Sequence, residues 1–210
     1  MEGRTYVCGL YRIVLIRKIF KFEVLEEFMR IEWKELNVNK KVIKAMITIK
    51  EKGDIRKIKN LYKLWNKLNK AIKKISTRGV NLPEAISENA FCLFFPECVR
   101  VVKLAKGKCS YDVINTKTGK RIQIKASSIE SDLTSFGPRS EWDELFFLDF
   151  SKGDGSFKIY KIEKDLIYKH KVNKNQTFED QQKQGKRPRF SIVENVIKLK
   201  NLKPLKICKL

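Results

Sequence analysis

Apolar residues recur every three or four positions between Asp54 and about Ile75: Ile55, Ile58, Leu61, Tyr62, Trp65, Leu68, Ile72 and Ile75. This spacing predicts an amphipathic helix with its lysines on the outer face, and Gly53-Asp54 supplies the break and the N-cap. Ser76-Thr77-Arg78-Gly79 ends it. A second helix is predicted from near Pro83 to Phe95, because proline suits a first helical turn and Pro96 closes the run. Apolar stripes of this kind pack cores, so both helices read as scaffold.

The period then changes from 3.6 to 2. Val99–Leu104, Ser110–Asn115 and Arg121–Ala126 read as strands, with Thr116-Lys117-Thr118-Gly119 as the hairpin turn between the last two. Leu145-Phe146-Phe147-Leu148-Asp149-Phe150 reads as a buried strand, and Lys152-Gly153-Asp154-Gly155 turns the chain into a strand at Phe157–Ile162. The order helix, helix, strands, long loop, strand, strand indicates an α/β (α+β) fold, a mixed sheet with helices on its faces. Residues 173–190 are polar enough to suggest an exposed excursion, and Ile192–Leu199 returns to apolar spacing. Residues 1–28 mix aromatic and basic positions without a steady period; Met29 is an alternative start, and no function is placed there.

Charge changes the picture. The 210 residues carry 46 Lys+Arg against 24 Asp+Glu, a net +22, while an apolar share of 42% is ordinary for a folded domain. A compact domain so charged repels itself, which points to an anionic partner, foremost nucleic acid, where each neutralised phosphate releases counterions. The only histidine is His170, which excludes paired-histidine zinc sites and the H-E-x-x-H protease. The five cysteines (Cys8, Cys92, Cys98, Cys109, Cys208) show no C-x-x-C spacing and read as reduced thiols. No segment is long and apolar enough to span a bilayer, and the run Ile13–Ile16 is flanked by basic residues, so a cytoplasmic protein is expected.

One constellation carries chemistry. Asp112 falls on one strand of the predicted hairpin, and Gln123 and Lys125 on the next; period 2 puts Gln123 and Lys125 on one face and Ile122 and Ile124 on the other. Glu84 and Glu88 lie one helical turn apart in Pro83-Glu84-Ala85-Ile86-Ser87-Glu88. A hard divalent cation needs oxygen ligands and keeps several waters, which Asp112, Glu84 and the Gln123 amide oxygen suit. Each residue also has a plainer reading: Asp112 as a turn former, Lys125 on a solvated face, Glu84 complementing the helix dipole, Glu88 at the surface or behind the metal ligands.

The hairpin resembles that of the PD-(D/E)XK nucleases, an acid followed by acid-x-Lys, with Gln123 in place of the second acid. The flanking text is more specific. The segments 76–88, Gln123-Ile124-Lys125-Ala126-Ser127-Ser128, 132–140 and Arg187-Pro188-Arg189-Phe190-Ser191-Ile192 are similar to a small group of type II restriction endonucleases, the Bsp-six-I type, which cut an interrupted GC-N-GC site. The resemblance implies a restriction-endonuclease-like core and Mg²⁺-dependent hydrolysis of double-stranded DNA at a short GC-rich palindrome, leaving 5′-phosphates. It implies Asp112, Glu84 and Gln123 at the metal and Lys125 at the scissile phosphate. It also implies a homodimer, and a cognate DNA methyltransferase in the same system.

The domain expected is a nuclease core over 76–200, preceded by an extension with amphipathic helices over 1–75 and followed by a basic tail over 201–210. Loops 127–142 and 173–190 are the expected DNA readers. Within them Ser127, Ser128, Arg139, Gln181, Gln182, Lys186, Arg187 and Arg189 are the candidate contacts, with Arg139 matched to a guanine edge and Lys186 and Arg187 to phosphates. The opposing reading of Arg139 is an ion pair with Glu141 or Asp143. A structure-specific nuclease, a degenerate nuclease and a nonenzymatic nucleic-acid-binding protein are the competing functions.

Overall fold

A computed structural model describes residues 29–77, 79–129 and 131–210; the expectations for residues 1–28 lie outside these. Strands β1 (Ile31–Val38) and β2 (Lys41–Thr48) come first, then helices α1 (Asp54–Ile72) and α2 (Glu84–Phe94). Next are β3 (Cys98–Leu104), β4 (Val113–Asn115), β5 (Arg121–Ser127), β6 (Thr134–Ser135), β7 (Glu144–Asp149) and β8 (Ser156–Ile162). The remainder comprises α3 (Lys164–Tyr168), β9 (Lys171–Asn173), β10 (Gln176–Thr177), α4 (Phe178–Lys183), β11 (Arg189–Phe190), a π-helical turn (Val193–Lys198) and β12 (Lys206–Lys209).

Eight strands form one mixed sheet in the order β1-β2-β3-β4-β5-β7-β8-β12. Among the described strands only β5 and β7 run parallel; their connection, residues 128–143, is long because parallel neighbours need a crossover. Apolar clusters cover both sheet faces. Leu145 and Phe147 of β7 point to the face that holds the π-helical turn and Phe178, whereas Phe146 and Leu148 point to the face under α1 and α2. Burial on both sides explains why this strand reads as a continuous apolar run rather than an alternation. Ile122 and Ile124 face α1 and α2, as the period-2 reading requires.

Segment 79–83 is tied down before α2 begins. The Trp65 indole N–H donates to the Val80 and Asn81 carbonyls at 3.1 and 3.0 Å, and the Val80 N–H donates to Asn69 Oδ1 at 2.9 Å. The hairpin turn between β4 and β5 is equally constrained. Gly119 sits at φ +69°, and a Cβ there would lie 2.9 Å from the Asn37 carbonyl oxygen. Only glycine suits this close approach of the turn to the β1–β2 hairpin.

The structure corrects several expectations. Residues 31–48 carried no strand prediction, yet form a hairpin whose turn places Asn39 and Lys40 at φ 48° and 66°, the left-handed pair that two-residue hairpin turns favour. Of the apolar positions in the predicted helix, Ile58, Tyr62 and Trp65 are buried, whereas Ile55, Leu61 and Leu68 are exposed and Ile75, also exposed, lies beyond the end of α1. Residues 173–190 are largely exposed, as expected, but they are ordered into β9, β10, α4 and β11, anchored by buried Phe178 and Phe190. Thr177 caps α4 in a reciprocal arrangement with Asp180. The loop 127–142 contains β6 and buries Phe136 and Trp142 completely. The Lys-rich end of the chain forms β12 on β8 and buries Cys208 and Leu210. Cys92, Cys98, Cys109 and Cys208 are free thiols. Among the described residues no helix is long and apolar enough to cross a membrane.

Candidate active site

Asp112 is held by backbone on both sides. Its N–H donates to the Ile122 carbonyl at 3.0 Å, and its carbonyl accepts from the Val101 N–H at 2.9 Å. Its carboxylate Oδ2 accepts from the Ile124 N–H at 2.7 Å and from the Gln123 side-chain amide. The other oxygen, Oδ1, accepts no hydrogen bond from the described residues. Burial pushes the Asp112 carboxyl up to about 7; neighbouring Glu88 adds to the rise, while the Ile124 N–H and Lys125 oppose it.

Of the two plainer readings of Glu88, at the surface or behind the metal ligands, the structure excludes the first. Glu88 is buried and forms an ion pair with Arg100 on β3, Nε to Oε2 at 2.5 Å. Burial raises its pKa, and the Arg100 guanidinium partly offsets that rise. Its spacing from Glu84 was the local signal available. Nothing local announces Arg100, which meets it from another element. Glu84, by contrast, is exposed at the start of α2.

A cleft of about 570 Å³ opens at this end of the sheet. Glu84, Lys125, Ser127, Ser128, Arg187 and Arg189 all contribute to its wall. The hairpin, the helix α2 and the late segment 187–189 are far apart in sequence, and the fold brings them to one place. Among the described residues Lys125 makes no ion pair; its ammonium lies 5.4 Å from the centre of the Phe136 ring. The Ser127 hydroxyl is turned inward, donating to the Ile129 carbonyl at 2.6 Å and accepting from the Ile129 N–H at 3.0 Å.

The two candidate reading segments form one body. β6 pairs with β11, Arg189 opposite Ser135 and Phe190 opposite Thr134. The Gln182 side-chain amide donates to the Gly137 carbonyl at 3.0 Å, and Gln181 leans on Gln176 at 3.4 Å. Lys186 and Arg139 are exposed outside the cleft wall. Glu141 and Asp143, the proposed partners of Arg139, are both engaged by Arg121 instead. Among the described residues Arg139 has no carboxylate partner.

The donor set suits a hard divalent cation that keeps most of its own shell. Among the described residues no three of His, Cys, Asp and Glu come close enough to enclose a metal ion. The half-buried Asp112 nevertheless has an oxygen without a hydrogen bond, beside the buried carboxylate of Glu88, which raises its pKa. A cation relieves both defects. Magnesium-like ions are commonly bound by one or two carboxylates plus water and substrate phosphate oxygens. Gln123 is buried and presents its amide nitrogen to Asp112.

Comparison with known proteins bears on the family of the chain. The family model for the Bsp6I restriction endonuclease matches residues 50–199, a stretch that takes in α1 as well as the hairpin and the cleft. The type II restriction enzyme Bsp6I of Bacillus sp. (strain RFL6) is 38% identical over 147 residues, which is 69% of this chain and 81% of that enzyme. No solved structure matches the chain.

Proposed function

The chain belongs to the Bsp6I restriction endonuclease family, and from that premise we propose that it hydrolyses double-stranded DNA with Mg²⁺ at a short GC-rich palindrome, using Asp112, Glu84, Gln123 and Lys125. It is a type II restriction endonuclease, and such enzymes as a class use a divalent metal. The observation that carries the reading is the convergence of Glu84, Lys125, Arg187 and Arg189 on one cleft beside Asp112.

Asp112, with Glu84 beside it, would hold the ion, and Gln123 would join through its amide oxygen only on turning over from its present N–H contact with Asp112. A bound divalent ion supplies acidity to a water and withdraws charge from the phosphoryl oxygens. The rest falls to the chain. Lys125 donates to a non-bridging phosphate oxygen as negative charge develops there, an interaction strongest in the transition state. Arg187 and Arg189 hold the backbone phosphates in the cleft, so the scissile bond stays in register. Ser128, the exposed Arg139 and Lys186 and the half-buried Gln181 and Gln182 extend the contact surface, with Arg139 reading a guanine edge. Ser127 shapes the turn that presents Ser128. The products are a 5′-phosphate and a 3′-hydroxyl. A palindrome is matched by a two-fold dimer, so two copies act together, and a protecting DNA methyltransferase accompanies the enzyme in its host.

The test is digestion of unmethylated phage DNA with Mg²⁺ or with EDTA, followed by sequencing of the ends. Discrete fragments only with Mg²⁺, and none from Asp112→Ala or Lys125→Ala protein that still binds the site, is the expected result. Wild-type cleavage by either variant would remove the site assignment. A smear without fixed ends would remove the sequence specificity.

A further inference from the structure

Lys125 sits in an unusual setting for a side chain that must meet a phosphate. Its ammonium has no carboxylate partner among the described residues, and the aromatic group over which it lies is Phe136, 5.4 Å from ring centre to Nζ. An aromatic face attracts a cation through its quadrupole without consuming the charge, so the ammonium stays available to an incoming anion. Phe136 is fully buried and is anchored in both DNA-contacting segments. Its N–H donates to the Pro188 carbonyl at 3.1 Å. Its ring stacks on Phe190 with centres 6.0 Å apart and meets Phe178 edge-on at 5.0 Å. The two residues before it pair with β11, and the carbonyl after it accepts from Gln182. Any shift of the 134–137 or 188–190 backbone on DNA therefore moves the ring on which Lys125 rests.

We propose that Phe136 is a positioning residue through which the two DNA-contacting segments set the place of Lys125. The proposal rests on the reading of Lys125 given above and adds a route by which recognition reaches the cleavage step. The ring is not a catalytic residue, since it touches no reacting atom. What it fixes is where the ammonium stands, and a misplacement of about 1 Å in such a group costs on the order of a hundredfold in rate.

The experiment compares Phe136→Leu, Phe136→Tyr and Lys125→Ala with the wild type, using single-turnover cleavage of the cognate duplex and of a duplex with one base pair changed. Binding is measured separately in EDTA. We expect Phe136→Leu to lower the cognate cleavage constant by about tenfold or more, with Kd changed by less than about threefold. The altered duplex should lose much less, so the ratio of the two constants falls. Phe136→Tyr keeps the aromatic face and should restore the cognate constant to within about twofold. Thermal melting reports whether each variant is folded; if Phe136→Leu is not, Phe136→Met takes its place in the same comparison. A cognate constant within twofold of wild type for the Leu variant, equal losses on both duplexes, an equal loss in the Tyr variant, or a loss confined to Kd would each overturn the proposal. Lys125→Ala keeps the two readings apart. If it cleaves normally the catalytic assignment itself falls, whereas an inactive Lys125→Ala beside an unaffected Phe136→Leu removes the positioning role alone.

Discussion

A carboxyl that titrates at about 7, as burial and Glu88 make Asp112 do, binds its proton more tightly in the folded chain than in the unfolded one, where the ordinary value is 3.8. Between these two values the folded state holds more protons, so stability falls as pH rises through this window and the loss is complete above about 7. Glu88 is shifted in the same direction. A divalent cation favours the ionised form and reverses the sign. We predict that the metal-free protein melts lower at pH 8 than at pH 5.5, and that Mg²⁺ raises the melting temperature more at pH 8. Asp112→Asn should abolish most of the Mg²⁺ effect and stabilise the metal-free protein at pH 8 by about 1–3 kcal/mol, read from melting curves with and without EDTA. Equal Mg²⁺ shifts for wild type and variant would place the ion elsewhere. At this scale the sequence was informative where the hairpin alone decides the geometry: Asp112, Gln123 and Lys125 meet because β4 and β5 are adjacent. It was misleading for Ser127, whose hydroxyl is consumed by the turn it makes.

Elements meet through pairs that no local pattern encodes, and the Glu88–Arg100 pair between α2 and β3 is the clearest case. Both partners are largely withdrawn from solvent, at 7% and 21% exposure. Removing one partner leaves an uncompensated buried charge, whereas removing both does not. Arg100→Met is therefore expected to destabilise the protein by about 3–5 kcal/mol at pH 8. The double variant Arg100→Met with Glu88→Gln should recover most of that loss, and the single variant should suffer less at low pH, where Glu88 takes up a proton. Urea unfolding of the three proteins checks this; a double variant no more stable than the single one would show that the ion pair is not what holds α2 there.

The same logic explains which elements were legible. β7 was, because both of its faces are buried and it reads as a continuous apolar run. α1 was found, but its inward face was drawn too wide, since Leu61 and Leu68 look outward. The β1–β2 hairpin was missed because Ile31, Trp33 and Val42 remain exposed on an outer strand pair, which blurs the alternation. In residues 173–190 two anchors, Phe178 and Phe190, organise a polar stretch whose strands are two or three residues long, too short to show any period.

At the scale of the whole molecule the net charge of +22 does two separable jobs, and ionic strength tells them apart. On the proposed function, exposed lysines on α1, among them Lys59, Lys63, Lys67 and Lys70, and the cleft residues Arg187 and Arg189 would supply attraction that any DNA sequence shares. A phosphate contact contributes about 0.9 to the slope of log affinity against log salt. Arg187→Ala or Arg189→Ala should therefore flatten that slope by about 1 on cognate and unrelated DNA alike, measured by fluorescence anisotropy across a salt series in EDTA. Arg139 stands apart from the cleft wall and has no carboxylate partner among the described residues, so its guanidinium is free to enter a groove. Its loss is expected to cost about 1–3 kcal/mol against DNA carrying the recognised G·C pair and much less against DNA in which that pair is already changed. A uniform loss for Arg139→Ala, with a flatter slope on both DNAs, would make it one more phosphate contact and move sequence reading to Gln181 and Gln182. The sequence reading gives Arg139 to a base and Lys186 and Arg187 to phosphates; the fold puts Arg187 and Arg189 on the cleft wall and leaves Arg139 and Lys186 exposed outside it.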